Sequence, residues 1–288
     1  MVERSRRAAL ERCGFSPEGG EQLAASDLSG RGPLAEIHDG SERYVVRRFH
    51  HGGVLRWLGQ HLYLRPARPF RELCLAVRLA GAGIATPGVV AARARRSRFL
   101  GWNLALVTQR VDGADGARWL ETLTAGARST GQRARFFACT GDLVGRLHAV
   151  GFLHSDLTPR NLLVSSDLQR AWVLDLDGGR FADALDGRVR LDNLRRLYRW
   201  VRRRSERGRF APTRTDHLRF LLAYRVALGT PLGGHAEDRA RSWRADWRAI
   251  VARDRAASAL HRVGWWIEEL LGGGPEGRDG PPVPRVPT

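Results

Sequence analysis

The sequence contains no lysine, one methionine and three cysteines. Cys13, Cys74 and Cys139 lie far apart without the paired spacing of a zinc site, and an odd number of cysteines is a poor disulfide framework. We therefore expect free thiols in a reducing compartment. The sequence also lacks the ~18 consecutive apolar residues of a membrane span and an apolar run of signal-peptide length near its N-terminus. These absences predict a protein of the cytosol or of the cytosolic face of a membrane.

Arginine supplies every basic side chain. The 48 basic residues outnumber the 30 acidic ones and give a formal net charge of +18. A complete absence of lysine is typical of GC-rich coding, so the arginine content alone says little about function. The charge itself favours a polyanionic partner, such as nucleic acid, a nucleotide, an anionic membrane surface or a phosphorylated glycolipid.

The rest of the composition is that of a globular chain. Hydrophobic residues make up 43% and charged residues 27%, which excludes intrinsic disorder and collagen-like structure. The 288 residues predict one large domain or two modest ones. We expect an N-terminal nucleotide-binding lobe at residues 1–110, a C-terminal catalytic lobe at 111–271 and a disordered Gly/Pro-rich tail at 272–288.

Apolar periodicity and turn residues predict the elements of both lobes. In the N-terminal lobe they are a hairpin of strands 34–38 and 44–49, a helix at 70–79, and strands 89–92 and 103–108. In the C-terminal lobe they are a helix at 131–150, a hairpin of strands 162–164 and 172–174, and helices at 191–204, 215–228, 237–253 and 256–271. The sequence therefore predicts strands mainly in the first lobe and helices mainly in the second.

Residues 154–178 carry the strongest functional signal. They read H-x-D-L-x-x-x-N, an apolar strand, a turn, a second apolar strand and D-x-D-G. Phosphoryl transfer needs an aspartate that accepts the proton of the attacking hydroxyl, here Asp156, and ligands that hold Mg²⁺ on the phosphates, here Asn161 and Asp175. A β-hairpin between the last two would return them to one metal site. The alternative, turn and capping residues in solvated loops, explains neither the spacing nor the apolar strands.

A kinase-like site also needs three parts from the N-terminal lobe. Gly30 and Gly32 precede the first strand, where backbone amides could cover the phosphates; a plain turn is the alternative. Arg47 occupies the strand position where protein kinases carry lysine, and we predict it as the phosphate ligand, with a solvated strand edge as the alternative. Glu72 is the predicted acidic partner on the helix, with an ordinary exposed glutamate as the alternative.

These motifs resemble the lipopolysaccharide core kinases, most closely the 3-deoxy-D-manno-octulosonic acid (Kdo) kinase family. The resemblance covers about residues 30–204 and rests on Gly30-Arg31-Gly32, Tyr44-Val45-Val46-Arg47-Arg48-Phe49 with His51-Gly52-Gly53, Phe70-Arg71-Glu72, the loop 154–161 and Leu174-Asp175-Leu176-Asp177. It implies an α+β, protein-kinase-like two-lobed fold, with a β-rich N-lobe that contains one main helix and a mostly helical C-lobe. An arginine at position 47 is what this family would have.

The resemblance also implies a function. The implied function is that of a phosphotransferase that depends on ATP and Mg²⁺ and acts on an alcohol group. The implied acceptor is an inner-core sugar, Kdo or alternatively heptose, of a lipid-linked lipopolysaccharide precursor. The remaining site predictions are His154 as support for the catalytic loop, Arg160 as a contact for the acceptor carboxylate or the transferred phosphate, Asp177 as a metal contact or loop anchor, and Gln109 and Val111 as nucleotide contacts. For Arg160 the alternative is an ordinary exposed arginine.

Other acceptors and other functions stay open at this point. Residues 205–271 are longer than a minimal Kdo kinase needs, and 216–224 is similar to the heptose kinases. No APE-type segment follows Asp177 before Leu191, which argues against a protein substrate. The alternatives are a kinase of the same superfold acting on another small molecule or a protein, and a non-catalytic pseudokinase that binds anions or nucleic acid. An intact set of Asp156, Asn161 and Asp175 disfavours the pseudokinase.

Two arginine clusters, 93–96 and 195–204, could face anionic lipid. Trp265-Trp266 with Leu270-Leu271 could dock in the interfacial layer of a membrane. Solvated helix faces and core packing are the alternatives. The sequence therefore predicts a peripheral protein on the cytoplasmic face of the inner membrane and disfavours nucleic acid as the partner.

Overall fold

The computed structural model describes residues 1–16, 34–40, 42–49, 63–97, 101–124, 128–183, 185–208, 210, 212–229 and 244–259. Within these ranges a four-stranded antiparallel sheet is followed by a mostly helical part. The glycines at 30 and 32, the segment 51–53, the apolar pairs at 265–266 and 270–271 and the predicted tail 272–288 lie outside the described residues.

The sheet contains the strands predicted for the first lobe. They are β1 (Leu34–Asp39), β2 (Glu42–Arg48), β3 (Val89–Arg96) and β4 (Trp102–Gln109). They pair in the order β1-β2-β4-β3, and every neighbouring pair is antiparallel. Alternation along β2 buries Tyr44 and Val46 on one face, so Arg47 lies on the other face.

Seven α-helices lie within the described ranges, and only some of them begin at a side-chain cap. They are α1 (Arg7–Arg12), α2 (Arg68–Gly81), α3 (Gly116–Thr124), α4 (Thr130–Ala149), α5 (Gly187–Ser205), α6 (Arg214–Ala227) and α7 (244–259). Ser129 and Thr213 open α4 and α6 with capping boxes, and Asp186 caps α5. Each cap gives orphan amides of a first turn a hydrogen-bond partner.

Two glycines let α4 and α6 approach closely. A Cβ on Gly141 would lie 2.3 Å from the carbonyl oxygen of Phe220, and one on Gly145 would lie 2.4 Å from that of Tyr224. The other side of α4 packs into the main hydrophobic core together with the short strands that follow it. This core is the support on which the 154–178 segment rests.

Short strands frame that segment. They are β5 (Ala114–Asp115), β6 (Phe152–Leu153), β7 (Leu162–Val164), β8 (Ala171–Val173) and β9 (Arg180–Phe181). β7 and β8 form the predicted hairpin, β5 adds to β7, and β6 pairs with β9. The loop 154–161 therefore leaves β6 and enters β7 between fixed ends.

One expectation about the helices is corrected. α7 is continuous through 254 and 255, where the sequence predicts a break between helices 237–253 and 256–271. Asp254 is buried, and its Oδ2 accepts a 2.8 Å hydrogen bond from Arg202 of α5, so a partner on another helix holds this acidic residue inside α7. The segments 237–243 and 260–271 lie outside the described residues.

Helix α3 is absent from the sequence prediction, although a signal precedes it. Asp115 accepts 3.0 Å hydrogen bonds from the backbone amides of Ala117 and Arg118, which is the pattern of a capping aspartate. No helix in the described part of the chain is long and apolar enough to cross a membrane.

Candidate active site

His154 is a buried support at the start of the loop. Its Nε2 lies 2.9 Å from the carbonyl oxygen of Leu174, and its Nδ1 lies 3.1 Å from the backbone amide of Asp156. Burial lowers the pKa of His154, which favours the neutral ring. A neutral ring with its proton on Nε2 donates to the backbone carbonyl of Leu174, and its Nδ1 accepts from the backbone amide of Asp156. His154 thus fixes Asp156 against the end of β8.

Asn161 closes the loop from its other end. Its side-chain Nδ2 donates to the backbone carbonyl of Asp156 at 2.7 Å. Its own carbonyl accepts a 2.9 Å hydrogen bond from the amide of Leu174, which extends the β7–β8 hairpin. The hairpin therefore brings Asp156, Asn161 and the residue after Leu174, Asp175, into one region.

Asp175 has an unusual backbone conformation. Its φ is +53°, in the left-handed region that residues other than glycine rarely adopt. Such conformations are held only where the surroundings fix them, and they cluster at functional sites. Asp175 forms an ion pair with Arg47, with 2.7 Å between Nη1 and Oδ1.

Arg47 joins three separate elements. It stands on β2, pairs through its second terminal nitrogen with Glu72 of α2, and pairs through the first with Asp175 after β8. Its guanidinium carbon lies 4.7 Å from the ring centre of Phe49, within cation–π range. The predicted partnership of Arg47 with Glu72 is present in the structure, and Asp175 is a partner that the sequence reasoning does not assign to it.

Glu72 is the most buried member of this group. Its side chain is 5% exposed, and burial raises the pKa of Glu72 to about 7 while Arg47 acts in the opposite direction. A carboxylate at this depth is costly unless it is paired. The Arg47 ion pair is therefore what allows a charged Glu72 beneath the sheet.

The other predicted residues take different places. Gln109 ends β4 beside Tyr44 of β2. Its backbone amide donates a 2.8 Å hydrogen bond to the backbone carbonyl of Gly88. Val111 is half-buried in the connection from β4 to β5. Arg160 is exposed between Asp156 and Asn161 and forms no ion pair within the described ranges. Asp177 pairs with Arg68 of α2.

Sequence reasoning misses two supporting residues. Asn193 of α5 donates to the carbonyl of His154 at 2.9 Å, and its side-chain oxygen lies 3.1 Å from Nε2 of His148. Arg68 of α2 holds Asp177. The segment Asn193-Leu194-Arg195-Arg196-Leu197 also resembles the helix that follows the metal-binding loop in the lipopolysaccharide kinases, but that resemblance assigns no role to Asn193. Arg68 stands one helical turn before Glu72, and this spacing does not indicate its partner Asp177.

The fold is that of the protein-kinase-like phosphotransferases. The lipopolysaccharide kinase (Kdo/WaaP) family matches residues 21–224, and the chain belongs to this family. A 3-deoxy-D-manno-octulosonic acid kinase of Xanthomonas axonopodis pv. citri is 28% identical over 235 residues, which are 80% of this chain and 90% of that protein. One of Pasteurella multocida is 25% identical over 188 residues, which are 63% and 75% of the two chains.

A solved structure shows the same fold. The structure of WaaP in complex with acyl carrier protein aligns with a TM-score of 0.54 at 22% identity, over 86% of this chain and 98% of that one. These comparisons confirm the predicted kinase-like fold. They also confirm a sugar kinase of the lipopolysaccharide core, which is a phosphotransferase acting on a sugar hydroxyl. Use of ATP follows from membership of a kinase family. The lobe boundary near residue 110 stays a prediction.

Proposed function

We propose that this chain transfers the γ-phosphate of ATP, with Mg²⁺, to a hydroxyl of the inner-core Kdo of a lipopolysaccharide precursor. The observation that carries the proposal is the link from Arg47 to both Glu72 and Asp175, close to the loop of Asp156 and Asn161. The names of the relatives favour Kdo over heptose as the acceptor.

Arg47 is the proposed ligand of the nucleotide phosphates. Its forked guanidinium has five N–H donors, so it can keep Glu72 and still donate to phosphate oxygens. Nucleotide binding would draw Arg47 away from Asp175 and release that carboxylate. Gly30 and Gly32 are proposed to cover the phosphates, and Gln109 and Val111 to contact the rest of the nucleotide.

Asn161 and Asp175 are the proposed holders of Mg²⁺. An amide oxygen and a carboxylate suit this ion, which usually takes one or two carboxylates, keeps several waters and completes its shell with phosphate oxygens. Among the described residues no group of three or more His, Cys, Asp or Glu side chains is placed to hold a metal ion. The ion would neutralise charge on the phosphates during transfer.

Asp156 is the proposed base. The backbone amide of Asp156 donates to His154, and its backbone carbonyl accepts from Asn161. These two hydrogen bonds fix the backbone from which the carboxylate extends. It would orient the attacking sugar hydroxyl in line with the γ-phosphate and accept its proton. Arg160 is exposed next to it and is the proposed contact for the acidic acceptor sugar.

We also propose peripheral attachment to the cytoplasmic face of the inner membrane through the α5 arginine row, which is Arg195, Arg199 and Arg203. These residues recur every fourth position, so they share one helix face. Burial, with Arg203 and Arg195 nearby, lowers the pKa of Arg199. Like charges at this spacing repel one another, and anionic headgroups would relieve that repulsion.

The acceptor is tested by supplying labelled ATP and Mg²⁺ with three lipid A precursors, one without Kdo, one with Kdo and one that also carries heptose. We expect label in the Kdo-bearing precursor and none in the precursor without Kdo. Label that appears only when heptose is present, and that stays on the heptose after mild acid cleavage of Kdo, would overturn the choice of Kdo.

A further inference from the structure

A second ion pair links α2 to the loop after β8. Arg68 and Glu72 stand one helical turn apart, so their side chains leave the same face of α2. Glu72 reaches Asp175 through Arg47, whereas Arg68 contacts Asp177 directly. Both acidic residues of the D-x-D-G sequence are therefore tied to one helix face.

The guanidinium of Arg68 is held in place by two rings. Its central carbon lies 5.1 Å from the ring centre of Phe49 and 5.2 Å from that of Tyr63. It also donates a 3.0 Å hydrogen bond to the hydroxyl of Tyr63. Phe49 lies beside Arg47 as well, so one ring touches both arginines. Arg68 is thus held by several contacts although its side chain is 37% exposed.

Asp177 also contacts the catalytic loop. Its backbone carbonyl accepts a 2.5 Å hydrogen bond from the hydroxyl of Ser155, which directly precedes Asp156. Through its side chain and its backbone, Asp177 connects α2 with the loop that carries the proposed base. Its neighbour Gly178 has a φ of +71°, which allows the turn that this double attachment requires.

We propose that Asp177 is a positioning residue, and not a ligand of the metal: its ion pair with Arg68 holds the loop of Asp175 against α2. This inference rests on the proposed function. Asp175 would be released when the nucleotide phosphates draw Arg47 away, whereas Arg68 is held beside Phe49 and Tyr63 and keeps its contact with Oδ2 of Asp177. A metal ion bound through that oxygen would break the ion pair and detach the loop from α2. Arg68 and Asp177 then act as one unit that sets the distance between Asp175 and Arg47.

Kinetics separate the two roles. We expect R68Q and D177N each to lower kcat about tenfold with an unchanged Mg²⁺ concentration for half-maximal rate, and the double variant R68Q/D177N to be no worse than either single variant. R71Q, which removes an exposed arginine from the same helix, is the matched control and should match the wild type. A higher Mg²⁺ requirement in D177N, without one in R68Q, would overturn the proposal, as would additive losses in the double variant.

A second readout needs no catalysis. In the ligand-free protein, we expect R68Q and D177N to speed hydrogen exchange of the backbone amides of residues 175–179 relative to R71Q and the wild type. Equal exchange in all four proteins would overturn the proposal even if the enzyme acts on Kdo. If R68Q does not fold, R68K takes its place, because lysine keeps the positive charge but lacks the planar guanidinium of arginine. An inactive wild type would count against the proposed function and leave the exchange result standing.

Discussion

At the scale of single residues, the choice of arginine at position 47 has a geometric consequence. Its two terminal nitrogens contact carboxylates from two different elements, Glu72 of α2 and Asp175 after β8. A lysine ammonium is a compact point charge. It lacks the planar guanidinium, whose N–H groups can donate to two carboxylates in fixed directions. Arg47 therefore couples the sheet, helix α2 and the loop after β8 through one side chain.

The buried Glu72 predicts a pH dependence of stability. A carboxyl whose pKa rises from 4.5 to about 7 on folding binds its proton more tightly in the folded state. Its contribution to stability is fully present below the unfolded pKa and is lost as the pH rises through the folded pKa. We expect the free energy of unfolding of the wild type to fall by roughly 1–3 kcal/mol relative to E72Q between about pH 5 and about pH 8.

Urea unfolding of both proteins across this range measures the effect. A glutamine at position 72 cannot titrate, so the E72Q variant serves as the reference for every other ionisable group. Parallel pH profiles of the two proteins would show that Glu72 has an ordinary pKa in the fold.

Some site residues could be predicted from the sequence and others could not. The closeness of Asp156, Asn161 and Asp175 could be predicted because a short loop and a hairpin of fixed length bring the three residues together. The pairing of Arg68 with Asp177 was not, because the partners are 109 positions apart and local periodicity carries no information about such contacts. The roles assigned to these residues stay predictions.

At the scale of elements, the closeness of α4 and α6 depends on glycine. The two helices run past each other where Gly141 meets the backbone of Phe220. A side chain there would push α6 away from α4, and α4 contributes to the core beneath the β7–β8 hairpin. The interface therefore supports the site although it contains none of its residues.

We expect G141A to destabilise the protein by about 1–3 kcal/mol, because the added methyl meets a backbone oxygen that cannot move aside. G131A lies on the same helix, where a Cβ would meet only Ser129 Oγ at 3.9 Å, and it should be neutral or slightly stabilising. Denaturant unfolding compares the two. Equal stabilities would show that the helices can separate at little cost.

Elements were predictable where they were long or regular. The alternation of Tyr44 and Val46 marks β2, and the apolar spacing of α4 marks a long helix. The two-residue strands β6 and β9 are below the length at which periodicity can be seen, so only the fold reveals them. The expected break in α7 was wrong because Asp254 finds Arg202 on another helix, a tertiary contact that overrides the local pattern.

At the scale of the whole molecule, the net charge of +18 is compatible with several polyanions, and the polyanion that we propose is an anionic membrane surface. The α5 arginine row makes this testable. We expect the wild type to bind vesicles that contain anionic lipid, with affinity falling as salt rises.

Replacing the row with glutamine, in R195Q/R199Q/R203Q, should weaken vesicle binding about 100-fold, since each arginine near the surface contributes roughly 1 kcal/mol. R65Q/R71Q/R170Q removes the same charge from exposed positions outside α5 and is the control. Co-sedimentation with vesicles measures both. Equal losses in the two triple variants would mean that net charge, and not this face, drives binding.

The account as a whole depends on Asp156 acting on a sugar hydroxyl. The most direct measurement is transfer of labelled phosphate from ATP to a Kdo-bearing lipid A precursor by the wild type and by D156N, with nucleotide binding measured for both. We predict transfer by the wild type, a loss of at least about 100-fold in D156N, and equal nucleotide binding. Transfer by D156N at the wild-type rate would contradict the account.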